Sequence, residues 1–81
     1  MSNLEKYKNC FATSFLISKE EPGLEFLEYQ GTKEWDSVGH MALIANIENS
    51  FEVMFDMNDV IDFSSYAVGV QIMSKYGVEI S

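Results

Sequence analysis

Glu34-Trp35-Asp36-Ser37-Val38-Gly39-His40-Met41-Ala42-Leu43-Ile44-Ala45-Asn46-Ile47 is the stretch whose reading decides the fold. Asp36 and Ser37 are both residue types that cap a helix N-terminus, because a short oxygen-bearing side chain accepts from the unpaired N–H groups of the first turn. A helix is therefore predicted from Asp36 or Ser37 to about Phe51. Placed at about 100° per residue, Leu43, Ile44, Ile47 and Phe51 fall together and form the core face. Val38, Met41 and Ala45 fall on nearly the opposite side, with Ala42 beside them. A surface helix of a small domain needs one apolar stripe only. The second stripe is expected to face solvent as a docking surface, with methionine suited to more than one partner. The other reading of the stripe is that the long preceding connection folds over it.

Upstream, Leu4, Tyr7, Phe11 and Phe15 recur at three- and four-residue steps, which predicts a helix from about Asn3 to Ile17. Ser2 or Asn3 caps it and Glu5 suits its first turn. Lys19 to Asp36 is a long connection broken by Pro22 and Gly23. It holds Glu20, Glu21, Glu25, Glu28 and Glu34, and it also holds Leu24, Phe26, Leu27, Tyr29 and Trp35. So many large apolar groups are expected to pack down onto the helices. Downstream, Asp56 to Phe63 reads as a short helix, opened by Asp56 or Asn58. Ser64 and Ser65 offer a cap for a last helix from Tyr66 to Tyr76. Gly77 stands in the C-terminal position, and Lys75 lies in the last turn. Gly69 lies inside that helix, where it either permits close packing or sits idle on the surface. No stretch alternates with period two, so no sheet is expected. The predicted fold is an all-α, single-domain four-helix bundle over 1–81, with three main helices, one short helix and a long first loop.

Composition narrows the partners. Of 81 residues, 5 are Lys or Arg and 13 are Asp or Glu, a net charge of -8. Such a surface repels nucleic acid and anionic lipid and suits encounter with basic protein partners; the other reading is that the charge serves solubility alone. The one cysteine, Cys10, can form no internal disulfide. It has no Cys or His at metal-ligand spacing and reads as a small buried residue of the first helix. The N-terminus has no signal-peptide pattern, and the longest apolar run is too short to span a bilayer. A cytoplasmic monomer is expected. Asp56, Asn58, Asp59 and Asp62 miss the pattern of a calcium loop, because Val60 and Ile61 stand where a ligand and a glycine are needed. Asp36, Ser37 and His40 do not make a hydrolase either. The serine lies in no Gly-x-Ser-x-Gly elbow and no strand precedes it. His40, one turn after Ser37, reads as a solvated surface imidazole, within reach of a phosphate at Ser37 when protonated.

Ser37 begins a helix whose N–H groups and partial positive charge favour a phosphate. Taken alone, a serine at a helix start is usually a cap. The run Glu34-Trp35-Asp36-Ser37-Val38-Gly39-His40-Met41 resembles, however, the phosphopantetheine attachment motif of acyl carrier proteins, with Val38 in place of the usual leucine. Leu43, Ile47 and Phe51 resemble the family's core positions. Phe55-Asp56-Met57-Asn58-Asp59-Val60-Ile61-Asp62-Phe63-Ser64-Ser65 looks like its third helix and the cap of its fourth. The likeness spans nearly the whole chain.

What the resemblance implies is an acyl-carrier-protein-like bundle and a protein that performs no chemistry itself. Ser37 would carry a 4′-phosphopantetheine arm derived from CoA, whose terminal thiol holds acyl or aminoacyl groups as thioesters. Asp36 would help to hold the Mg ion needed only while the arm is attached. Val38, Met41, Ala45 and Glu48 would contact partners, namely a phosphopantetheinyl transferase and an acyl-activating ligase, acyltransferase or synthase of lipid or polyketide metabolism. The third and fourth helices would line any shelter for the acyl chain. Carriers of general fatty acid synthesis resemble one another in a strongly acidic second helix, whereas here that helix has only Glu48 beyond Asp36. A specialised biosynthetic pathway is therefore expected. The competing reading is a small helical interaction module without a prosthetic group, binding through Val38, Met41 and Ala45.

Overall fold

A computed structural model describes residues 2–18, 23–31 and 35–81. The expectations placed on Glu20, Glu21, Pro22 and Glu34 lie outside these residues. Four helices follow in order, α1 (Asn3–Phe15), α2 (Ser37–Phe51), α3 (Met57–Asp62) and α4 (Tyr66–Lys75), with one 3-10 turn at Leu24–Phe26 between the first two. Among the described residues there is no strand, only an isolated antiparallel bridge between Glu28 and Ser65.

The helix limits follow from their caps. The Ser2 hydroxyl accepts from the Glu5 amide, the Asp36 carboxylate from Gly39 and the Ser65 hydroxyl from Val68. These are the donors a helix start leaves unpaired. At the other end, α1 stops two residues before the expected Ile17. Leu16 turns into the left-handed region at φ 56, and the amides of Leu16 and Ile17 both bond back to Ala12. Glu52 ends α2 in the same conformation. The last helix ends at Lys75, with Tyr76 as its cap and Gly77 at φ 79. That left-handed residue is the role foreseen for the glycine.

α1 and α2 lie antiparallel. Asn46 donates to Ser14 at 2.7 Å, the Cys10 thiol to Ser50 at 3.5 Å, and the Lys6 ammonium sits 5.5 Å above the Phe51 ring. These contacts pair rising numbers on one helix with falling numbers on the other. The core between the helices is mainly aromatic. Tyr7, Phe11, Trp35 and Phe63 are fully buried, with Leu43, Ile47 and Met73 among them. Phe11 alone touches the rings of Tyr7, Phe15, Trp35, Phe63 and Tyr66. The mostly edge-on and tilted arrangement suits ring quadrupoles. Leu4 and Phe51 stay only half-buried at the ends of their stripes.

The first loop does pack down, but not with every apolar group it carries. Leu24 and Trp35 are buried, and Leu27 and Tyr29 are half-buried. Phe26 remains 81% exposed, contrary to expectation. The cause is local: Leu24 and Phe26 lie in one short 3-10 turn, so turning Leu24 inward carries Phe26 out. Gly69 proves to be a close-packing residue. A Cβ there would meet the Tyr7 hydroxyl and the Phe63 ring.

Candidate functional site

The site is assembled by three segments that converge at the start of α2. The segment 27–30 is fixed first, by backbone bonds from Tyr29 to Ser64, from Tyr66 to Leu27 and from Gln30 to Trp35, at 2.9–3.0 Å. The bonds place Tyr29 over the N-terminus of α2. Its hydroxyl lies 3.2 Å from the Ser37 hydroxyl. Asp36 Oδ1 accepts from the Gly39 amide at 2.8 Å and so fixes the first turn that carries Ser37. Ser37 itself is exposed.

Beside this serine is a cavity of about 420 Å³. From α2 it is lined by Ser37, His40 and Met41, from α3 by Val60 and Ile61, and between them by Tyr29 and Ser64. Among the described residues the lining carries hydroxyls, an imidazole and apolar groups but no carboxylate, ammonium or guanidinium. No residue of α4 is among the lining.

His40 is not the solvated surface residue expected from the sequence, since only 8% of it is exposed. The reason lies in its spacing: His40, Leu43, Ile44 and Ile47 stand at i, i+3, i+4 and i+7, on one face. Both ring nitrogens are engaged. Trp35 Nε1–H, which can only donate, bonds to His40 Nδ1 at 3.0 Å. The proton of the ring therefore sits on Nε2, which donates to the Val60 carbonyl at 2.7 Å. Neither nitrogen is left to bond a phosphate at Ser37. The ring is boxed by Tyr29 edge-on at 5.1 Å, by Trp35 at 6.2 Å and by Phe63 at 6.3 Å. The tryptophan–histidine–carbonyl chain thus ties the loop, α2 and α3 together under the cavity.

The remaining candidates fall around this centre. Val38 and Met41 are 79% and 59% exposed, and Ala42 and Ala45 are exposed too. Nothing among the described residues covers their stripe. Met57 and Ile61 of α3 are also exposed. Glu48 is half-buried, and its Oε2 accepts from the Phe55 amide at 2.9 Å, which secures the link between α2 and α3. Asp56 and Asp59, which miss the calcium-loop pattern, have separate tasks. Asp56 precedes α3, and its amide donates to the Tyr76 hydroxyl. Asp59 is buried and accepts from both Lys75 and Tyr76 at 2.5 Å. Those two bonds, that to Lys75 foremost, hold its carboxyl below the usual carboxylate range. No three His, Cys, Asp or Glu among the described residues are grouped to hold a metal. No described helix is long and apolar enough to cross a membrane. Cys10 is 3% exposed; burial pushes its thiol up, against smaller opposing effects of Ser50 and Lys6.

No protein-family model matches the chain, and no curated protein or solved structure is significantly similar to it.

Proposed function

We propose that the chain is an acyl carrier protein, with Ser37 as the attachment point of a 4′-phosphopantetheine arm. The observation that carries this reading is the setting of Ser37: an exposed hydroxyl at the first residue of a 15-residue helix, capped by Asp36, on the wall of an apolar cavity. The residues present fit the group. A phosphodiester at Ser37 would meet the positive end of the α2 dipole, where anions are stabilised by about 0.3–1 kcal/mol. Tyr29 can donate to the ester oxygen once Ser37 has lost its own proton. Asp36 lies beside the serine, where the family reading has it help to hold the magnesium used during attachment. The arm would supply a thiol for acyl or aminoacyl thioesters, and the protein's own part is to present it. The exposed Val38, Met41 and Ala45 stripe supports docking of transferase, ligase, acyltransferase or synthase partners. The acyl-carrier-protein-like topology belongs to the same proposal.

The weakly acidic second helix supports service in a specialised pathway rather than in general fatty acid synthesis. A malonyl transferase of fatty acid synthesis should load the arm-bearing protein less efficiently than a housekeeping carrier.

The deciding experiment is intact mass after incubation with a promiscuous phosphopantetheinyl transferase, CoA and magnesium. One phosphopantetheinyl group on the wild type, mapped to Ser37 and absent from a folded Ser37→Ala protein, is the expected result. No gain by wild type, with a control carrier modified in parallel, overturns the reading. In that case the interaction module takes its place, and Met41→Glu rather than Ser37→Ala would abolish partner binding.

A further inference from the structure

We propose that the surface around Phe26 is a docking site for an arginine presented by a basic segment of a partner protein. It is separate from the site at Ser37: the two cavities share no lining residue, and neither assignment depends on the other.

Phe26 is held out by its backbone. Its amide bonds to the Gly23 carbonyl at 3.0 Å and that of Leu27 to Leu24 at 3.3 Å, which closes the 3-10 turn, while Leu24 itself is buried. Just beyond, the Tyr66 amide donates to the Leu27 carbonyl and the Tyr29 amide to Ser64, which pins the segment to the start of α4. The mostly exposed ring is thus presented on a fixed platform, and little ordering is left for a partner to impose. Beside it is a second cavity, of about 160 Å³, lined by Phe26, Leu27, Ser65 and Ala67 and by two acidic residues, Glu25 and Glu28.

The chemistry of this lining selects the occupant. An anion would meet two carboxylates on a chain of net charge -8 and be repelled. A purely apolar side chain would cover the ring, but it would draw Glu25 and Glu28 out of water with no charge to offset the loss. A cation suits both, because the face of an aromatic ring attracts it as a carboxylate does. Of the two cationic side chains, the guanidinium is planar and weakly hydrated, stacks on a ring and offers paired donors to a carboxylate, whereas the ammonium is a strongly hydrated point charge. The size agrees, since about 160 Å³ is well under the roughly 300–1,000 Å³ of small-molecule sites and suits the end of one long side chain. The ring stands mostly outside the cavity, so covering it falls to a partner's surface and not to a small molecule held within. Lys8 already approaches Glu25 at 3.8 Å, a loose pair of little weight that an incoming arginine can displace.

The test is a titration of the isotope-labelled full chain, followed by its amide resonances at low ionic strength. The probes are a short peptide of alternating glycine and arginine and its lysine counterpart. The expected result is saturable shifts centred on the amides of Phe26, Glu28 and Ala67, with the arginine peptide bound several-fold more tightly than the lysine peptide. Phe26→Ala should weaken the arginine peptide about two- to fivefold, and Glu28→Gln should weaken it as well. Both side chains are exposed, so the core is untouched by either change. Shifts spread over the acidic surface without saturation, equal affinity for the two peptides, or an affinity that either substitution leaves unchanged would each overturn the proposal. Methylguanidinium binding as tightly as the arginine peptide would overturn it too, because the site would then take a small cation and not a partner protein. Modification of Ser37 plays no part in these measurements, so their failure and that of the transferase experiment are told apart.

Discussion

Gly69→Ala sets two effects of known sign against each other. Gly69 is in the middle of α4, where alanine is favoured over glycine by about 1 kcal/mol. On an open helix face the substitution would stabilise. Here the added methyl would overlap the Tyr7 hydroxyl and the end of the Phe63 ring, with Phe63 Cε1 at 2.7 Å. Neither group has room to yield. Both are fully buried, Tyr7 donates to the Tyr66 carbonyl at 2.7 Å, and Phe63 is hemmed by Phe11, Trp35, His40 and Phe55. Overpacking of this kind costs about 1–3 kcal/mol. Displacing the tyrosine hydroxyl adds about 1–3 kcal/mol for a buried group left unpaired. The gain in helix propensity is outweighed, and a net loss of about 3 kcal/mol is expected, a fall in melting temperature of about 12–24 °C for a domain of this size. Thermal unfolding followed by circular dichroism reads it directly. Tyr7→Phe alone should cost about 1 kcal/mol. Combined with Gly69→Ala it should cost less than the sum, because one of the two overlaps has gone. A Gly69→Ala protein that melts at or above the wild-type temperature would refute the packing argument.

Trp35→Phe removes the indole donor to His40 Nδ1 and leaves space beside it; a loss of about 2–3 kcal/mol in urea unfolding is expected, and a change below about 0.5 kcal/mol would place the bond outside the stabilising core. Asp59 has its carboxyl lowered in the folded state, so its contribution is fully present above the unfolded value, about 3.9, and is lost as pH falls through the lower folded one. Melting temperatures of wild type and Asp59→Asn should therefore differ most above about pH 5 and converge in stronger acid; a gap that is the same at every pH would contradict this. Cys10, buried and with its thiol pushed up, should react with iodoacetamide far more slowly in the native protein than in urea; equal rates would contradict its burial.

Much of the scaffold was legible because it is written locally. The caps at Ser2, Asp36 and Ser65 and the left-handed Gly77 depend on neighbours within a few positions. The core stripe of α2 follows from a single period. That same period places His40 on the stripe, although a histidine carries the chemistry of a solvated group. What decides its burial is Trp35 on one side and the Val60 carbonyl twenty positions on, and no local rule carries a partner at that distance. The cavity is of the same kind, since Tyr29, Ser37 and Ile61 meet only after the loop is pinned to Ser64 and Tyr66. The role of Asp59 is not legible locally because its partners, Lys75 and Tyr76, stand at the end of another helix. Gly69 was ambiguous for want of one fact, that Tyr7 and Phe63 would be its neighbours.

The chain has a single tryptophan, and it is the fully buried residue that hydrogen-bonds His40 in the lining of the cavity beside Ser37. The protein therefore comes with an intrinsic optical label at the place where it is most useful. Its emission reports on the aromatic core as a whole, and its indole N–H resonance reports on one imidazole. Global melting and a local event beside Ser37 can thus be followed in the same sample, with no dye attached.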